Sequence, residues 1–450
     1  MHNVSKENTF DQHKMSEIAH LILKEAAQRG ASEAEVSVSL DKGFSVSAHD
    51  GEVETVSYNQ DKVVGIHVYF GKRAGTASIS DLRPEAIRAA VDAACHIAKF
   101  TDEDPYAGLA AKEAMAWDYP QLDLGEAWTI TVPEAIELAC LCEREAKAYD
   151  KRIINAEHVT VSTEQSLNLY ANSHGFLGVY PYAHHEVSCV LIAKEKGEMQ
   201  RDYDYTTASF PGGLHDVKAL AREAAERTVR RLGARRLSTR RAPVLFVPEE
   251  ARGLLGYFGA AISGSNLYRK ASFLVDQLGN RLFPDFVHLE EQPHLARALG
   301  SEPFDSDGVA TRRNVYVEAG VLRSYALGTY SGRKLGMPST GNAGGMHNLI
   351  LKPGAQDLAG LMKTMDKGLL ITEMMGNGVS VLTGDYSRGA SGYWVEHGEI
   401  QYPVHEITVA GNLKDIYANM VAVGNDVDHR GNVLTGSILV GEMMIAGDSI

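Results

Sequence analysis

The chain has 450 residues, of which 44% are hydrophobic and 23% are charged, and its formal net charge is −14. This length exceeds the ~250 to 300 residues at which a single hydrophobic core stops growing, so two or three domains are expected. The composition is typical of a globular protein, and the negative charge disfavours general nucleic-acid binding, which needs clustered positive charge.

Membrane insertion and disulfide bonding are also disfavoured. No apolar run reaches the roughly 18 residues of a membrane-spanning helix, and MHNVSKENTFDQHKMSE lacks the apolar core of a signal peptide. The four cysteines are too few and too irregularly spaced for a disulfide framework; they are Cys95, Cys140, Cys142 and Cys189. We therefore expect a cytoplasmic protein in which the cysteines are small buried residues.

The first quarter of the chain has the order helix, strands, helix. Helical spacing runs from about Met15 to Gln28, and RPEAIRAAVDAACHIAKF is helical again. Alternating apolar and polar segments separated by turn residues lie between them, AEVSVSL, GFSVSAH, EVETVSY, KVVGIHVYF and AGTASIS. This pattern predicts an α+β unit with an antiparallel meander, which we place in residues 1–125.

The same order recurs after a loop at 102–125. The stretch VPEAIELACLCEREAKAY is helical, alternating segments follow, and a closing helix runs from Val217 to Leu232. We therefore predict a second, related α+β unit at 126–237.

The remainder, 238–450, consists mainly of strands punctuated by glycine. Stretches such as GVATRRNVYVEAGVLRSYAL and GNVLTGSILVGEMMIAG alternate apolar and polar residues between turn signals. They predict a large antiparallel β-rich, barrel-like domain. We expect four helices in it, at 249–262, near 287–299, near 355–367 and near 412–420.

Two adjacent glutamates open the first of these helices. In FVPEEARGLLGYFGAAISGS, Pro248 precedes Glu249 and Glu250, and apolar residues then recur at helical spacing. Proline at the first helical position and acids in the first turn favour a helix N-terminus, where unpaired N–H groups attract negative charge. The pair is thus either an ordinary helix start or part of a catalytic site.

Other metal-binding patterns are weak. HEVSC at 185–189 lies in an alternating segment, where its first and last residues are roughly 13 Å apart along a strand. That distance is too long for one ion with bonds of about 2 Å. HEI at 405–407 lacks a second ligand at the right spacing, so we predict no metal site at either place.

Seven arginines occur between residues 227 and 241. Such a run binds phosphates or an acidic partner, or else pairs with the chain's own acids at a solvated hinge between domains, which we favour. They are Arg227, Arg230, Arg231, Arg235, Arg236, Arg240 and Arg241.

Two glycine-rich segments, STGNAGGMHN and TGDYSRGASGYWVEHGEI, lie between predicted strands. They either form a groove poor in side chains that accepts an extended peptide as an added strand, or serve bulges and turns of the barrel. The candidate substrate-binding residues are Gly341, Gly344, Gly345, Arg388, Gly389 and Gly392.

These segments, with YRKASFLVDQLGN, PFDSDGVATRR and GDYSRGASGYWVEHGEIQYPVHEITVAGNLKD, carry a resemblance to the TldD/PmbA metalloprotease family, known as modulators of DNA gyrase. The similarity is to its PmbA (TldE) type of subunit and covers essentially the whole chain. It implies a cytoplasmic heterodimer with a TldD-type subunit that cleaves unfolded or extended peptides. It also implies that zinc is bound in the TldD-type partner, through an H-E-x-x-x-H helix and a later cysteine.

The resemblance places these ligand positions on EEARGL, with Glu249, Glu250 and Leu254 at the three H-E-x-x-x-H positions. Thr435 is the nearest counterpart of the cysteine. Since leucine has no lone pair to donate and a catalytic zinc needs three protein ligands, we expect no catalytic residue and no metal or other cofactor in this chain.

Three hypotheses remain. In the favoured one, the chain is a metal-free subunit that completes a peptide channel with its TldD-type partner, and it forms homodimers when alone. In the second, it is a self-sufficient metalloprotease using Glu249, Glu250 and a histidine such as His347. In the third, it is an interaction protein that acts on gyrase or RNA-binding regulators through its arginine-rich segment.

Overall fold

A computed structural model describes residues 11–447. Residues 1–10 of MHNVSKENTFDQHKMSE precede this range. The prediction that this stretch has no signal-peptide core therefore lies largely outside the described residues. Within 11–447, no helix combines the length and apolar character needed to cross a membrane.

The first N-terminal unit has the predicted order helix, strands, helix, but the five predicted segments form three strands, because residues 41–43 and 59–61 pair with each other in the sheet and do not form turns. It contains α1 (Gln12–Gln28), β1 (Glu33–His49), β2 (Glu52–Phe70), β3 (Arg73–Ile79) and α2 (Pro84–Phe100). Helix α1 begins at Gln12, three residues before the predicted start, because the Asp11 carboxylate caps it, while α2 begins at its proline as predicted. Their apolar faces pack on alternate residues of β1 and β2.

The second unit repeats this order. It contains α3 (Val132–Tyr149), β4 (Ile153–Asn172), β5 (Leu177–Glu195), β6 (Glu198–Ala208) and α4 (Val217–Arg230). A reciprocal capping box between Thr131 and Glu134 starts α3. Three of the cysteines are buried and one is half-buried, and none forms a disulfide.

The two N-terminal units share one antiparallel sheet in the order β3-β2-β1-β4-β5-β6. They join through β1 and β4, which pair from Glu35 opposite Asn172 to Ala48 opposite Val159. All four helices cover one face of the sheet, because the buried even-numbered residues of β1 pack against α1 and α2 at one end and α3 and α4 at the other. The opposite face is directed towards the C-terminal part of the chain, where Tyr170 contacts a cluster that includes Phe304.

The C-terminal part contains eleven strands and five helices in the range 240–446. The strands are β7 (Arg240–Phe246), β8 (Leu289–Glu291), β9 (Asn314–Glu318), β10 (Val321–Leu322), β11 (Leu349–Leu351), β12 (Gly368–Met375), β13 (Asp385–Glu396), β14 (Glu399–Asn412), β15 (Met420–Val423), β16 (Val433–Leu434) and β17 (Ile438–Ala446). The helices are α5 (Pro248–Ile262), α6 (Gly264–Tyr268), α7 (Thr329–Leu335), α8 (Leu358–Met365) and α9 (Leu413–Ala418).

Five of these strands close into a barrel. Their order is β14-β13-β12-β7-β17, and β17 pairs back onto β14, with β15 added beside β17. A second sheet has the order β10-β9-β8-β11-β16. Two pairs, β7–β12 and β11–β16, are parallel, while the other pairs are antiparallel. The structure thus confirms the predicted α+β class with a barrel-like β-rich C-terminal region.

The helix predicted near 287–299 is wrong. Residues 289–291 form β8, which pairs with β9 and β11, and turns follow through residue 299. Pro293 lacks an N–H for a helical hydrogen bond, and Glu291 is fully buried. Helices α6 and α7 were not predicted, because each is too short to show a clear period.

Candidate functional site

Helix α5 follows directly on β7. It carries Glu249, Glu250 and Leu254, which the family resemblance places at the H-E-x-x-x-H positions. Val247 is its N-cap and Pro248 its first residue, so Glu249 and Glu250 lie in the first turn, as predicted. Leu254 is 2% exposed and belongs to the main core, and its carbonyl oxygen accepts a hydrogen bond of 2.7 Å from the Tyr417 hydroxyl. The third position is therefore occupied by core packing.

Glu249 is held by two arginines. Its carboxylate accepts from Arg430 Nη2 at 2.6 Å and from Arg227 Nη1 at 3.0 Å. Burial opposes ionisation of Glu249, but these two guanidinium groups outweigh it and hold its pKa below the ordinary value. The carboxylate is thus ionised, and its Oε1 accepts both of these hydrogen bonds.

Arg430 is the centre of a larger set of ion pairs. Besides Glu249, it donates to Asp204 Oδ1 at 2.9 Å and to Asp428 Oδ1 at 2.9 Å, and its guanidinium lies 4.5 Å from the centre of the Tyr205 ring. Arg252, one turn along α5, donates to the carbonyl oxygen of Arg430 at 2.6 Å. We call Asp204, Arg227, Glu249, Arg252, Asp428 and Arg430 the α5 charge network.

The α5 charge network connects the two halves of the molecule. Asp204 belongs to β6 and Arg227 to α4, whereas the other members belong to the C-terminal region. Sequence analysis did not single out Arg430, because nothing within its own segment HRGNVL indicates a partner 181 residues away. The Arg430 guanidinium therefore supplies positive charge beside Glu249.

Glu250 has different surroundings. Burial raises the pKa of Glu250, although a hydrogen bond from the Met374 backbone and the charge of Arg388 act in the opposite direction. Arg388 itself donates from Nε to the carbonyl oxygen of Gly376 at 2.9 Å. The two adjacent glutamates thus face separate environments and do not form a paired acid–base site.

Thr435, the residue assigned to the position of the cysteine ligand, also makes structural contacts. Thr435 is fully buried, and its hydroxyl donates to the carbonyl oxygen of Gly436 at 2.9 Å. Across residues 11–447, no group of three or more His, Cys, Asp or Glu side chains is arranged to hold a metal ion. Because Leu254 has no lone pair and Glu249 and Thr435 are engaged in other contacts, these residues do not fit a catalytic zinc.

The arginine-rich segment pairs largely with acids of the same chain. Arg227 joins the α5 charge network, Arg231 pairs with Asp202 and Glu373, and Arg241 pairs with Glu442. Arg227 and Arg231 are mostly buried, so these two do not form the solvated hinge that we expected.

The first glycine-rich segment forms a loop beside the start of α6. Gly341, Gly344 and Gly345 have φ values of 78°, 94° and 145°, which only glycine adopts without strain. Asp305 Oδ2 accepts from the Ala343 N–H at 3.0 Å and holds the loop in place.

Gly344 and Gly345 line a groove of about 550 Å³, which we call the glycine groove. Most of its wall is glycine, alanine and serine from α5, α6, α7 and the loop. Backbone groups are therefore accessible there to a bound chain.

The second glycine-rich segment lies within the barrel. A Cβ at Gly392 would come within 1.9 Å of the Leu370 carbonyl oxygen, next to a bulge in the pairing of β12 and β13. Gly389 faces Met375 on the same strand pair. Gly392 therefore permits close packing of the barrel backbone, and the structure does not bring these residues into the glycine groove.

A buried acid–histidine pair lies under the glycine loop. His347 Nδ1 lies 2.9 Å from Glu291 Oε1, and its Nε2 is 3.5 Å from Glu302 Oε2. Asn342 Nδ2 also donates to Glu291, at 2.8 Å. His347 is thus engaged with Glu291 and Glu302, and not with Glu249 or Glu250.

We expect this pair to make stability depend on pH. Burial opposes protonation of His347, but Glu291 and Glu302 raise its pKa to about 9, above the ordinary 6.5. The stabilisation is therefore complete below pH 6.5 and is lost as the pH rises through 9, by at most about 1.4 kcal/mol per pH unit. Urea midpoints between pH 6 and 9.5 should fall for the parent chain and change less in His347→Gln.

His20→Gln serves as the control, because His20 is an exposed histidine on α1 in the other half of the molecule. It should keep most of the parent's pH dependence. Equal slopes in the parent and in His347→Gln would show that His347 does not titrate in this range.

Comparison with known proteins follows the three regions of the chain. Residues 34–98 match the family model of PmbA/TldA metallopeptidase domain 1, residues 125–232 that of the central domain, and residues 239–447 that of the C-terminal domain. A relative from Escherichia coli O157:H7, "Metalloprotease PmbA", is 47% identical and the match covers 97% of both chains. A "Metalloprotease PmbA homolog" from Haemophilus influenzae is 46% identical over 94% of both chains.

Solved structures are also similar to this fold. A protein from Bacteroides thetaiotaomicron described as a modulator of DNA gyrase has a TM-score of 0.91 and 25% identity, covering 96% of this chain and 99% of its own. TldE from Thermococcus kodakarensis has a TM-score of 0.81 at 20% identity, covering 96% and 100%, which shows a shared fold. From these matches over nearly its whole length, the chain belongs to the PmbA/TldD metallopeptidase family.

Proposed function

We propose that this chain is the metal-free subunit of a cytoplasmic peptidase, and that it completes a peptide channel together with a zinc-binding TldD-type subunit. The observation that carries the proposal is the state of the three motif positions on α5. Glu249 is bound by Arg227 and Arg430, Glu250 lies apart from it, and Leu254 is in the core. Peptide hydrolysis by zinc needs three protein ligands and an open position, which these residues do not supply.

The glycine groove supports a role in holding substrate. It has a volume of about 550 Å³ and is lined mainly by glycine, alanine and serine from Gly259 to Gly345. Binding of an extended chain through main-chain hydrogen bonds gives affinity with little choice of side chains. This suits a peptidase that acts on unfolded or extended peptides, and it assigns this chain a positioning role.

Metal content tests the proposal. After purification and dialysis, the chain should hold far less than one equivalent of zinc by elemental analysis, because Leu254 and Arg430-bound Glu249 cannot serve as ligands. Glu249→His/Leu254→His should gain no peptidase activity on its own, since two histidines supply neither a third ligand nor the hydrogen-bonded partners that orient ligands.

One tightly held zinc per chain would contradict the proposal if the metal and the activity were lost together in Glu250→Ala. That result would favour the self-sufficient metalloprotease. Glu442→Ala is a suitable control because this exposed glutamate pairs with Arg241 on the barrel surface. It should change neither metal content nor activity.

A further inference from the structure

A second and larger cavity lies next to the glycine groove. It measures about 660 Å³ and lies between the helix-free face of the N-terminal sheet, the loop 101–110 and the C-terminal region. The glycine groove and this cavity share Asp307, Thr329 and Tyr330 in their walls. We call it the interdomain cavity.

Aromatic rings form much of the wall of the interdomain cavity. His67, Tyr69 and Tyr170 project from β2 and β4, and Tyr330 projects from α7 on the opposite side. The faces of such rings carry partial negative charge and attract cations. Ligand sites occur preferentially in cavities of this kind at domain boundaries, with a few polar groups among largely apolar walls.

Glu35 is the polar group at the floor of this cavity. Its carboxylate accepts hydrogen bonds from the Tyr69 hydroxyl at 2.8 Å and the Tyr170 hydroxyl at 2.6 Å, and His67 Nδ1 lies 3.2 Å away. Burial opposes ionisation of Glu35, but hydrogen bonds from His67, Tyr170 and Tyr69 outweigh it and lower its pKa. The side chain is therefore a fixed negative charge in a partly buried position.

Asp307 provides a second carboxylate on the opposite wall. Its Oδ2 accepts from the Thr329 N–H at 3.0 Å. Burial raises the pKa of Asp307, and the charge of Glu35 raises it further, which places the two carboxylates within electrostatic reach of each other. A positive charge between them would relieve this repulsion.

Lys72 and Arg333 beside the cavity donate to backbone carbonyls, whereas Lys334 lies 4.0 Å from Asp104 Oδ1, with its Nζ 5.4 Å from the centre of the Tyr330 ring. Lys72 Nζ donates to the Ala107 carbonyl at 2.8 Å, and Arg333 Nη1 donates to the Gly108 carbonyl at 2.8 Å. No ion pair joins Glu35 or Asp307 to a lysine or arginine among the residues that the structure describes. Across that same part of the chain no ligand set suits a metal ion, which leaves an organic cation.

We propose that the interdomain cavity binds a positively charged group of the peptide, either an arginine or lysine side chain or the N-terminal ammonium. The aromatic walls receive the cation, and the carboxylates of Glu35 and Asp307 accept its hydrogen bonds. Peptides with such a group beside the segment in the glycine groove are thereby selected over neutral ones. This inference rests on the proposed role of the glycine groove in holding peptide.

Calorimetric titration with three synthetic pentapeptides tests it. The first is acetyl-Ser-Val-Arg-Val-Ser-amide, the second carries neutral citrulline in place of arginine, and the third is the citrulline peptide with a free N-terminal ammonium. At least one cationic peptide should bind about tenfold or more tightly than the neutral peptide, since a charge-assisted hydrogen bond in a buried site has that magnitude. Comparison of the first and third peptides shows which cation is preferred.

Asp307→Asn and Glu35→Gln should each reduce this ratio towards one and leave binding of the neutral peptide unchanged. Glu35→Gln also alters the contacts of Tyr69 and Tyr170, so its thermal unfolding must be measured as well. If Glu35→Gln is unstable, Asp307→Asn alone tests the inference. Glu113→Gln, an exposed change outside the cavity wall, is the control and should keep the parent ratio.

Equal affinities for all three peptides in the parent chain would overturn the inference but would not contradict the proposed role of the glycine groove. An unchanged ratio in Asp307→Asn, together with an unchanged ratio in a folded Glu35→Gln, would overturn it as well. Failure of every peptide to bind would overturn both this inference and the proposed role of the glycine groove.

Discussion

Replacing Arg430 with methionine should lower the free energy of unfolding by about 3 to 5 kcal/mol. The change removes the one group that contacts Glu249, Asp204 and Asp428 together, and it leaves these carboxylates close to one another with less positive charge. Arg227 still pairs with Glu249 and Asp204, and Arg252 still pairs with Asp428. Each carboxylate nevertheless loses one partner, and a buried charge that is only partly compensated costs more than the ion pair itself contributes. Urea unfolding followed by circular dichroism and tryptophan fluorescence gives the difference.

Arg241→Met is the matched control. Arg241 makes a comparable ion pair with Glu442, but both side chains are more than half exposed, so its loss should cost less than about 1 kcal/mol. If Arg430→Met were no more destabilising than Arg241→Met, the α5 charge network would not be a stabilising junction between the two halves of the molecule.

Mixing this chain with a TldD-type subunit from the same source should produce peptidase activity that neither subunit shows alone. The expected activity on an unfolded peptide saturates near equal amounts of the two chains, because each channel needs one of each. Obligate interfaces typically bury more than ~2,000 Å², so a stable complex should also appear in size-exclusion chromatography. A peptide-release assay across a series of mixing ratios measures this.

A second experiment uses this chain with Gly345→Val. The substitution narrows the glycine groove and forces φ of +145° on a branched residue, so the mixed sample should lose activity. The control is Gly197→Val, in an exposed turn between β5 and β6, which should keep the activity. Full activity of the TldD-type subunit alone, unchanged by added partner, would disprove the proposed role. It would then favour the hypothesis of an interaction protein.

The sequence by itself determined the helices of the N-terminal half, the segments that lie in its strands and the start of α5, but not that AEVSVSL and GFSVSAH continue as one strand. Those features are local: apolar periodicity, Asp11 or Thr131 at a cap and Pro248 at a first helical position all act within a few residues. The same local signals showed that Glu249 and Glu250 begin a helix. The family resemblance then predicted that Leu254 occupies the position of a metal ligand.

Tertiary structure alone decided which distant segments meet. The pairing of β1 with β4, which joins two meanders into one sheet, depends on contacts between residues more than a hundred positions apart. The helix wrongly predicted near 287–299 has the same cause, since pairing of β8 with β9 and β11 and burial of Glu291 beside His347 override local helical spacing. Arg430 reaches Glu249, and Asp307 reaches the cavity above Glu35, only because the chain folds back on itself. Charge and packing between such residues are summed over the whole fold, and no window of sequence contains both partners.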